Sequence, residues 1–121
     1  MEALGHHVIV EMFGIEENLL DDIDYLREML ISAADNCGAA IIGHIFKKFE
    51  PQGVSGVVVI AESHISLHTW PEYGYAALDV FTCGNKAVPD VAVEHVVSSL
   101  KPKNYSIVEM KRGILVSNSQ T

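Results

Sequence analysis

Between Gly53 and Gly84 the chain alternates apolar, β-branched runs with short polar breaks, a pattern that predicts three consecutive strands. They span Val54–Ala61, His64–Thr69 and Tyr75–Phe81. In the second, Ile65 and Leu67 alternate with His64, Ser66 and His68. In the first, the run Val57-Val58-Val59-Ile60 is unbroken, as expected of a strand buried on both faces. Trp70-Pro71-Glu72-Tyr73-Gly74 reads as a turn. Upstream, His6–Phe13 predicts a strand ended by Gly14, and Ala39–Phe49 another, followed by a turn at Pro51-Gln52-Gly53. Downstream, Tyr105–Met110 predicts a last strand, and Val116–Thr121 reads as a frayed tail.

Two segments carry helical spacing instead. Leu19, Ile23, Leu26, Leu30, Ala33 and Cys37 recur at intervals of four and three, which places them on one face of a single helix. Glu16, Glu17, Asp21 and Asp22 complement its dipole, and Gly38 is suited to stop it. Cys37 reads as a small buried apolar residue. A second helix starts at Pro89, a residue favoured in the first turn, and runs to about Leu100, burying Val93, Val96, Val97 and Leu100. Pro102 lies beyond it. The order β-α-β-β-β-β-α-β predicts an α+β two-layer sandwich, a mainly antiparallel sheet with both helices on one face. The other face then needs a cover. In a chain this short a second copy is the natural one, giving a homodimer of α/β/β/α layering.

Composition narrows the function. At 121 residues the chain is one domain, and 49% hydrophobic content argues for a packed core. A net charge of -8 disfavours a nucleic-acid or anionic-membrane surface, which needs clustered Lys and Arg. Two cysteines make no disulfide framework, and no apolar run approaches the ~20 residues of a membrane helix. The segment MEALGHHVIV lacks the marks of a signal peptide, so the chain reads as cytoplasmic.

The chemistry of the central stretch has three candidate readings. Six histidines invite a metal, and His64 and His68 have H-x3-H spacing. Along a strand, however, four residues span roughly 13 Å, too far for two nitrogens each about 2.1 Å from one zinc. His6, His7, His44 and His95 show no ligand spacing either, so no metal is expected and these histidines read as surface or core residues. Ser63, His68 and Asp79 supply the residue types of a serine hydrolase, but no G-x-S-x-G elbow is present. In the third reading Ser63 attacks the carbonyl before it, converts its own amide to an ester, and after elimination and hydrolysis becomes a pyruvoyl group. Ser55, His68 and the polar break Ala61-Glu62-Ser63-His64 supply the groups this needs. The residues alone leave it one possibility, since a serine between strands is usually a turn residue.

The segments Gly53-Val54-Ser55-Gly56-Val57-Val58-Val59, Ala61-Glu62-Ser63-His64, Leu67-His68-Thr69-Trp70-Pro71-Glu72-Tyr73-Gly74-Tyr75-Ala76 and Asp79-Val80-Phe81-Thr82-Cys83-Gly84 resemble the short prokaryotic S-adenosylmethionine decarboxylase proenzymes. The resemblance runs over essentially the whole chain. Ala61 departs from the family's usual serine at a position outside the chemistry. The resemblance implies self-cleavage between Glu62 and Ser63 into a β chain (1–62) and an α chain (63–121), with Ser63 becoming the pyruvoyl cofactor. It implies that Ser55 and His68 assist processing, His68 as base, that the pyruvoyl forms a Schiff base with the substrate amine, and that Cys83 returns a proton as general acid. Phe49 is implied to stack on the adenine and Glu72 to hold the ribose; for Phe49, core packing is the competing role. Trp70 reads as a packing residue. The family's sites lie at a dimer interface, Ser63 and Cys83 of one protomer facing Ser55, His68 and Glu72 of the other. The implied activity is decarboxylation of S-adenosylmethionine for polyamine synthesis. The alternatives are a pyruvoyl-dependent decarboxylase of arginine or ornithine, and a catalytically silent partner subunit.

Overall fold

The structure is a computed structural model and describes residues 2–61, 63–84 and 87–116. Six strands, β1 (Glu2–Phe13), β2 (Ile41–Lys48), β3 (Val54–Ile60), β4 (Ser63–Trp70), β5 (Tyr75–Cys83) and β6 (Asn104–Leu115), form one sheet in the order β2-β3-β4-β5-β1-β6. Every neighbouring pair is antiparallel. Strands β2 to β5 follow one another through short turns. The last turn is a single 3₁₀ turn, Pro71–Tyr73, closed by Gly74 at φ 61°. Helices α1 (Glu17–Leu20), α2 (Ile23–Asn36) and α3 (Pro89–Leu100) complete the chain, and the two long helices are the two that the spacing predicts.

Period-two alternation sorts the strands into two faces. Val8, Val10 and Met12 of β1, Val54, Val58 and Ile60 of β3, Ile65 and Leu67 of β4, and Ala76, Leu78 and Val80 of β5 are buried together with Leu26, Leu30, Ala33, Val96 and Leu100 of the helices. The intervening residues lie on the opposite, open face. Val59, for one, is 41% exposed there, so within one chain the Val57–Ile60 run is covered on one side and not on both. Phe13, Ile45, Val108 and Met110 are exposed on the same face. An uncovered apolar sheet face of this extent is the mark of an interaction surface.

The predicted long first helix is broken. Asp22 caps α2, accepting a hydrogen bond from the Tyr25 N–H at 3.1 Å, and Asp21 leaves the helical path altogether. The Asp21 carboxylate accepts from the Gly53 N–H at 2.9 Å and pairs with Lys48 Nζ at 3.1 Å. These two contacts hold it below the usual carboxylate range. The acidic residues thus act through specific bonds as well as through the dipole. Cys37 is buried as expected, and its burial pushes the thiol up. The other large difference is β6, which runs well past Met110. It pairs along the whole of β1, from Phe13↔Asn104 to Glu2↔Leu115, and every residue of it is exposed. Backbone pairing extends this strand where no apolar pattern marks it. Of the tail, residues 117–121 lie outside the described residues.

Thr69 ties α1 to the sheet. Its buried Oγ1 donates to the Leu20 carbonyl at 2.7 Å and accepts from the Val54 N–H at 2.9 Å. Thr69→Val keeps the shape and strands both backbone groups, so it should cost about 1–3 kcal/mol. The readout is a lower urea midpoint at unchanged slope; an unchanged midpoint would remove Thr69 from this role.

Candidate active site

The chemistry-bearing residues fall at two ends of the sheet. At one end Ser55 of β3 pairs with His68 of β4, and Ser55 Oγ lies 2.8 Å from His68 Nδ1. With the ring proton on Nδ1, the ring donates to Ser55 Oγ, which leaves Nε2 free to accept a proton and the serine O–H free to donate. The β2–β3 turn brings Phe49 to this end, where its N–H donates to the Gly53 carbonyl at 2.8 Å and its side chain is 44% exposed. Its ring is therefore outside the core. Glu72 lies exposed in the 3₁₀ turn, just beyond Trp70. The Trp70 and Tyr75 rings are tilted against each other, centroids 5.2 Å apart, and Tyr75 stacks on Phe13 at 5.1 Å.

At the other end stand Ser63 and Cys83. Two residues, Ala61 and Glu62, connect Ile60 to its register partner Ser63, the shortest common hairpin connection. By the alternation of β4, Ser63 falls on the helix side with Ile65 and Leu67, and its Oγ is buried with no hydrogen-bond partner among the described residues. A buried hydroxyl without a partner costs roughly 1–3 kcal/mol, so this serine is held at a disadvantage. An intact serine at the start of a strand, its hydroxyl without a partner among the described residues, fits the precursor of a pyruvoyl group. Cys83 ends β5 on the open face, half-buried, in no disulfide, and in register with Gly5. Gly5 is required there: a Cβ would come within 2.6 Å of the Phe81 ring.

The structure thus joins Ser55 to His68 but sets both apart from Ser63. Ile60 lies five steps along β3 from Ser55, a distance of roughly 17 Å. Phe49 and Glu72 share the Ser55 end, while Cys83 shares the Ser63 end. Within one chain, Ser55 and His68 stand too far from Ser63 to touch it.

Between the ends, the open face carries a polar chain that sequence reading passed over. Ser66 Oγ donates to Asp79 Oδ2 at 3.4 Å. His7 Nε2 lies 3.3 Å from Asp79 Oδ1, close enough to pair when the ring is protonated but too poorly aligned for a hydrogen bond. Arg112 Nη1 lies 3.3 Å from His7 Nδ1, and its guanidinium sits 5.7 Å over the Phe81 ring. Beside them Tyr75 donates to Glu11 at 2.6 Å; burial, then Glu11, push its hydroxyl up to about 12, so it stays a neutral donor. His7 is therefore no bland surface residue. Their partners come from strands far apart in sequence, which no pattern within one segment records. Among the described residues no cluster of three His, Cys, Asp or Glu is placed to hold a metal ion. A cleft of about 780 Å3 lies mainly on the helix side, between β6 and the start of α3, lined by Val8, Val88, Asp90, Glu109 and Lys111 among others, away from the Ser55 end.

These features define an α+β sandwich with an open sheet face and divided chemical groups. Comparison with known proteins gives the family. The model of the S-adenosylmethionine decarboxylase family matches residues 6–113. The S-adenosylmethionine decarboxylase proenzyme of Methanococcus vannielii is 49% identical over 115 residues, covering 95% of this chain and 94% of that protein. That of Pyrococcus abyssi is 49% identical over 114 residues, covering 94% and 82%. The crystal structure of the adenosylmethionine decarboxylase from Aquifex aeolicus superposes with a TM-score of 0.92 at 33% identity, covering all of both chains. A Trypanosoma brucei AdoMetDC monomer shares the fold at a TM-score of 0.64 and 16% identity, over 86% of this chain and 45% of that one. The chain belongs to the S-adenosylmethionine decarboxylase family.

Proposed function

We propose that this chain is a proenzyme that cuts itself between Glu62 and Ser63, and then decarboxylates S-adenosylmethionine to the aminopropyl donor of polyamine synthesis in the cytoplasm. The observation that carries this reading is the buried Ser63 hydroxyl at the first position of β4, without a hydrogen-bond partner among the described residues, within a chain of this family. The relatives named above support S-adenosylmethionine as substrate over arginine or ornithine. The presence of Ser63, His68 and Cys83 argues against a silent partner subunit.

The divided site calls for a second copy. Two sheets packed by their open faces lie about 10 Å apart and are related by a two-fold axis in the plane between them. When that axis runs across the strands, the Ser55 end of one protomer meets the Ser63 end of the other. Each dimer then holds two sites. In each, Ser63 and Cys83 of one protomer face Ser55, His68, Phe49 and Glu72 of the other, and the apolar open face is buried.

The residues have separable tasks. His68, its ring oriented by Ser55, takes the α-proton of Ser63 during processing, and the Ser55 hydroxyl stands by to bond the oxyanion at the cut. Once formed, the pyruvoyl group supplies an electron-withdrawing carbonyl that stabilises the charge left when a carboxylate departs. Phe49 offers a ring to the adenine, and Glu72 accepts from ribose hydroxyls, its charge also favouring a sulfonium substrate. Cys83 holds the proton that the product carbon receives. Cleavage frees residue 63 from the turn, which lets a group built on the helix side swing toward the open face where Cys83 lies.

Mixing two variants tests both the cleavage and its arrangement. A Ser63→Ala chain cannot be cut but keeps Ser55 and His68; a His68→Ala chain keeps Ser63 but lacks the base. Each alone should stay whole. Co-expressed, they should form mixed dimers in which only the His68→Ala chain is cut, seen as fragments 1–62 and 63–121 by mass. No cutting in mixed dimers, with wild type cut normally, would refute the shared site. Failure of wild type itself to cut would refute the self-cleavage.

A further inference from the structure

Thr82 is 1% exposed, and its Oγ1 has no hydrogen-bond partner among the described residues. Ser63 Oγ is the other buried hydroxyl in this condition. The two belong together. The β4–β5 ladder runs Leu67↔Leu78, Ile65↔Val80 and His64↔Phe81, and one step further sets Ser63 beside Thr82. Alternation puts both on the helix side, with Ile65 and Val80 buried next to them. Directly opposed residues of an antiparallel pair have Cβ atoms about 4.5–5.5 Å apart, so one χ1 rotation joins the two hydroxyls. Packing does not account for a hydroxyl at position 82: valine has the same shape and would leave no buried group unbonded.

We propose that Thr82 is a positioning residue for the self-cleavage, a role that rests on the cleavage reading above. Its Oγ1 accepts the Ser63 O–H and fixes the rotamer from which Ser63 Oγ attacks the carbonyl carbon of residue 62. In that step the Oγ–C bond forms, the bond from that carbon to the Ser63 nitrogen breaks, and the hydroxyl proton ends on that nitrogen. No oxidant or other reactant enters. Attack within one residue forms a five-membered ring, which only a narrow range of Ser63 χ1 allows. A hydroxyl free to turn spends most of its time outside that range.

Freshly made wild type, Thr82→Val and Thr82→Ser chains, followed by mass, test this. Thr82→Val should slow cleavage about tenfold, the rate worth of one hydrogen bond, and Thr82→Ser should return it to near wild type. In the uncleavable Ser63→Ala background, adding Thr82→Val should leave the melting temperature unchanged or raise it. Cleavage of Thr82→Val at the wild-type rate would overturn the role. So would a Thr82→Ser chain as slow as Thr82→Val, or a marked fall in melting temperature, either of which makes Thr82 a packing residue. Wild type that never cleaves would instead remove the parent reading.

Discussion

Replacing Ser63 with alanine should leave a single chain of 13.2 kDa where wild type should give two fragments. The effect is all or none because the nucleophile is the side chain itself. Alanine fits the first position of β4, so the fold should persist. It should even gain slightly, since a buried unbonded hydroxyl is removed. The denatured, reduced protein is weighed after long incubation. Fragments 1–62 and 63–121 from the Ser63→Ala chain would sink the assignment of Ser63, and with it the pyruvoyl group. Release of carbon dioxide from S-adenosylmethionine should vanish in parallel.

Cys83→Ala should separate the two halves of the proposed function. The chain should still cut itself, because Ser63, Thr82 and the partner's Ser55 and His68 remain. Turnover should then fall by about 10²–10⁴, the usual contribution of a general acid. Cys83 stands at the end of β5 on the open face, one register step beyond the position that Ser63 occupies, and is half-buried in the single chain. The covering protomer should bury it further and keep bulk water from returning the proton. Carbon dioxide release from fully processed Cys83→Ala protein measures this; unimpaired turnover would remove Cys83 as the acid. A loss of cutting in that variant would move Cys83 into the processing machinery.

Much of the β3–β4 hairpin was legible in the chain itself. The polar break Ala61-Glu62-Ser63-His64 between two apolar runs predicts a short connection, and the structure sets its register. Once Ile60 pairs with Ser63, simple counting pairs Ser55 with His68. Their hydrogen bond therefore follows from local pattern plus one turn. Helix α3 was legible too, with Pro89 opening it and valines lining one face. The long first helix was not. Its spacing ran through Asp21, and only the distant Gly53 N–H and Lys48 draw that carboxylate away. Spacing shows which side chains share a face but carries no record of a competing partner from another segment.

The amino-acid sequence by itself determined most of the elements, their two faces, the residue types of the site and, through resemblance, the family. The tertiary structure decided what lies beside what. Strand β1 sits between β5 and β6, and this places His7, Asp79 and Arg112 in one chain of contacts across three strands. It also decided, through the β4–β5 register, that Thr82 comes beside Ser63. The physical reason is that strand pairing is made by backbone groups identical in every residue. Their register is set by which apolar face the whole sheet can bury, a property no single segment carries.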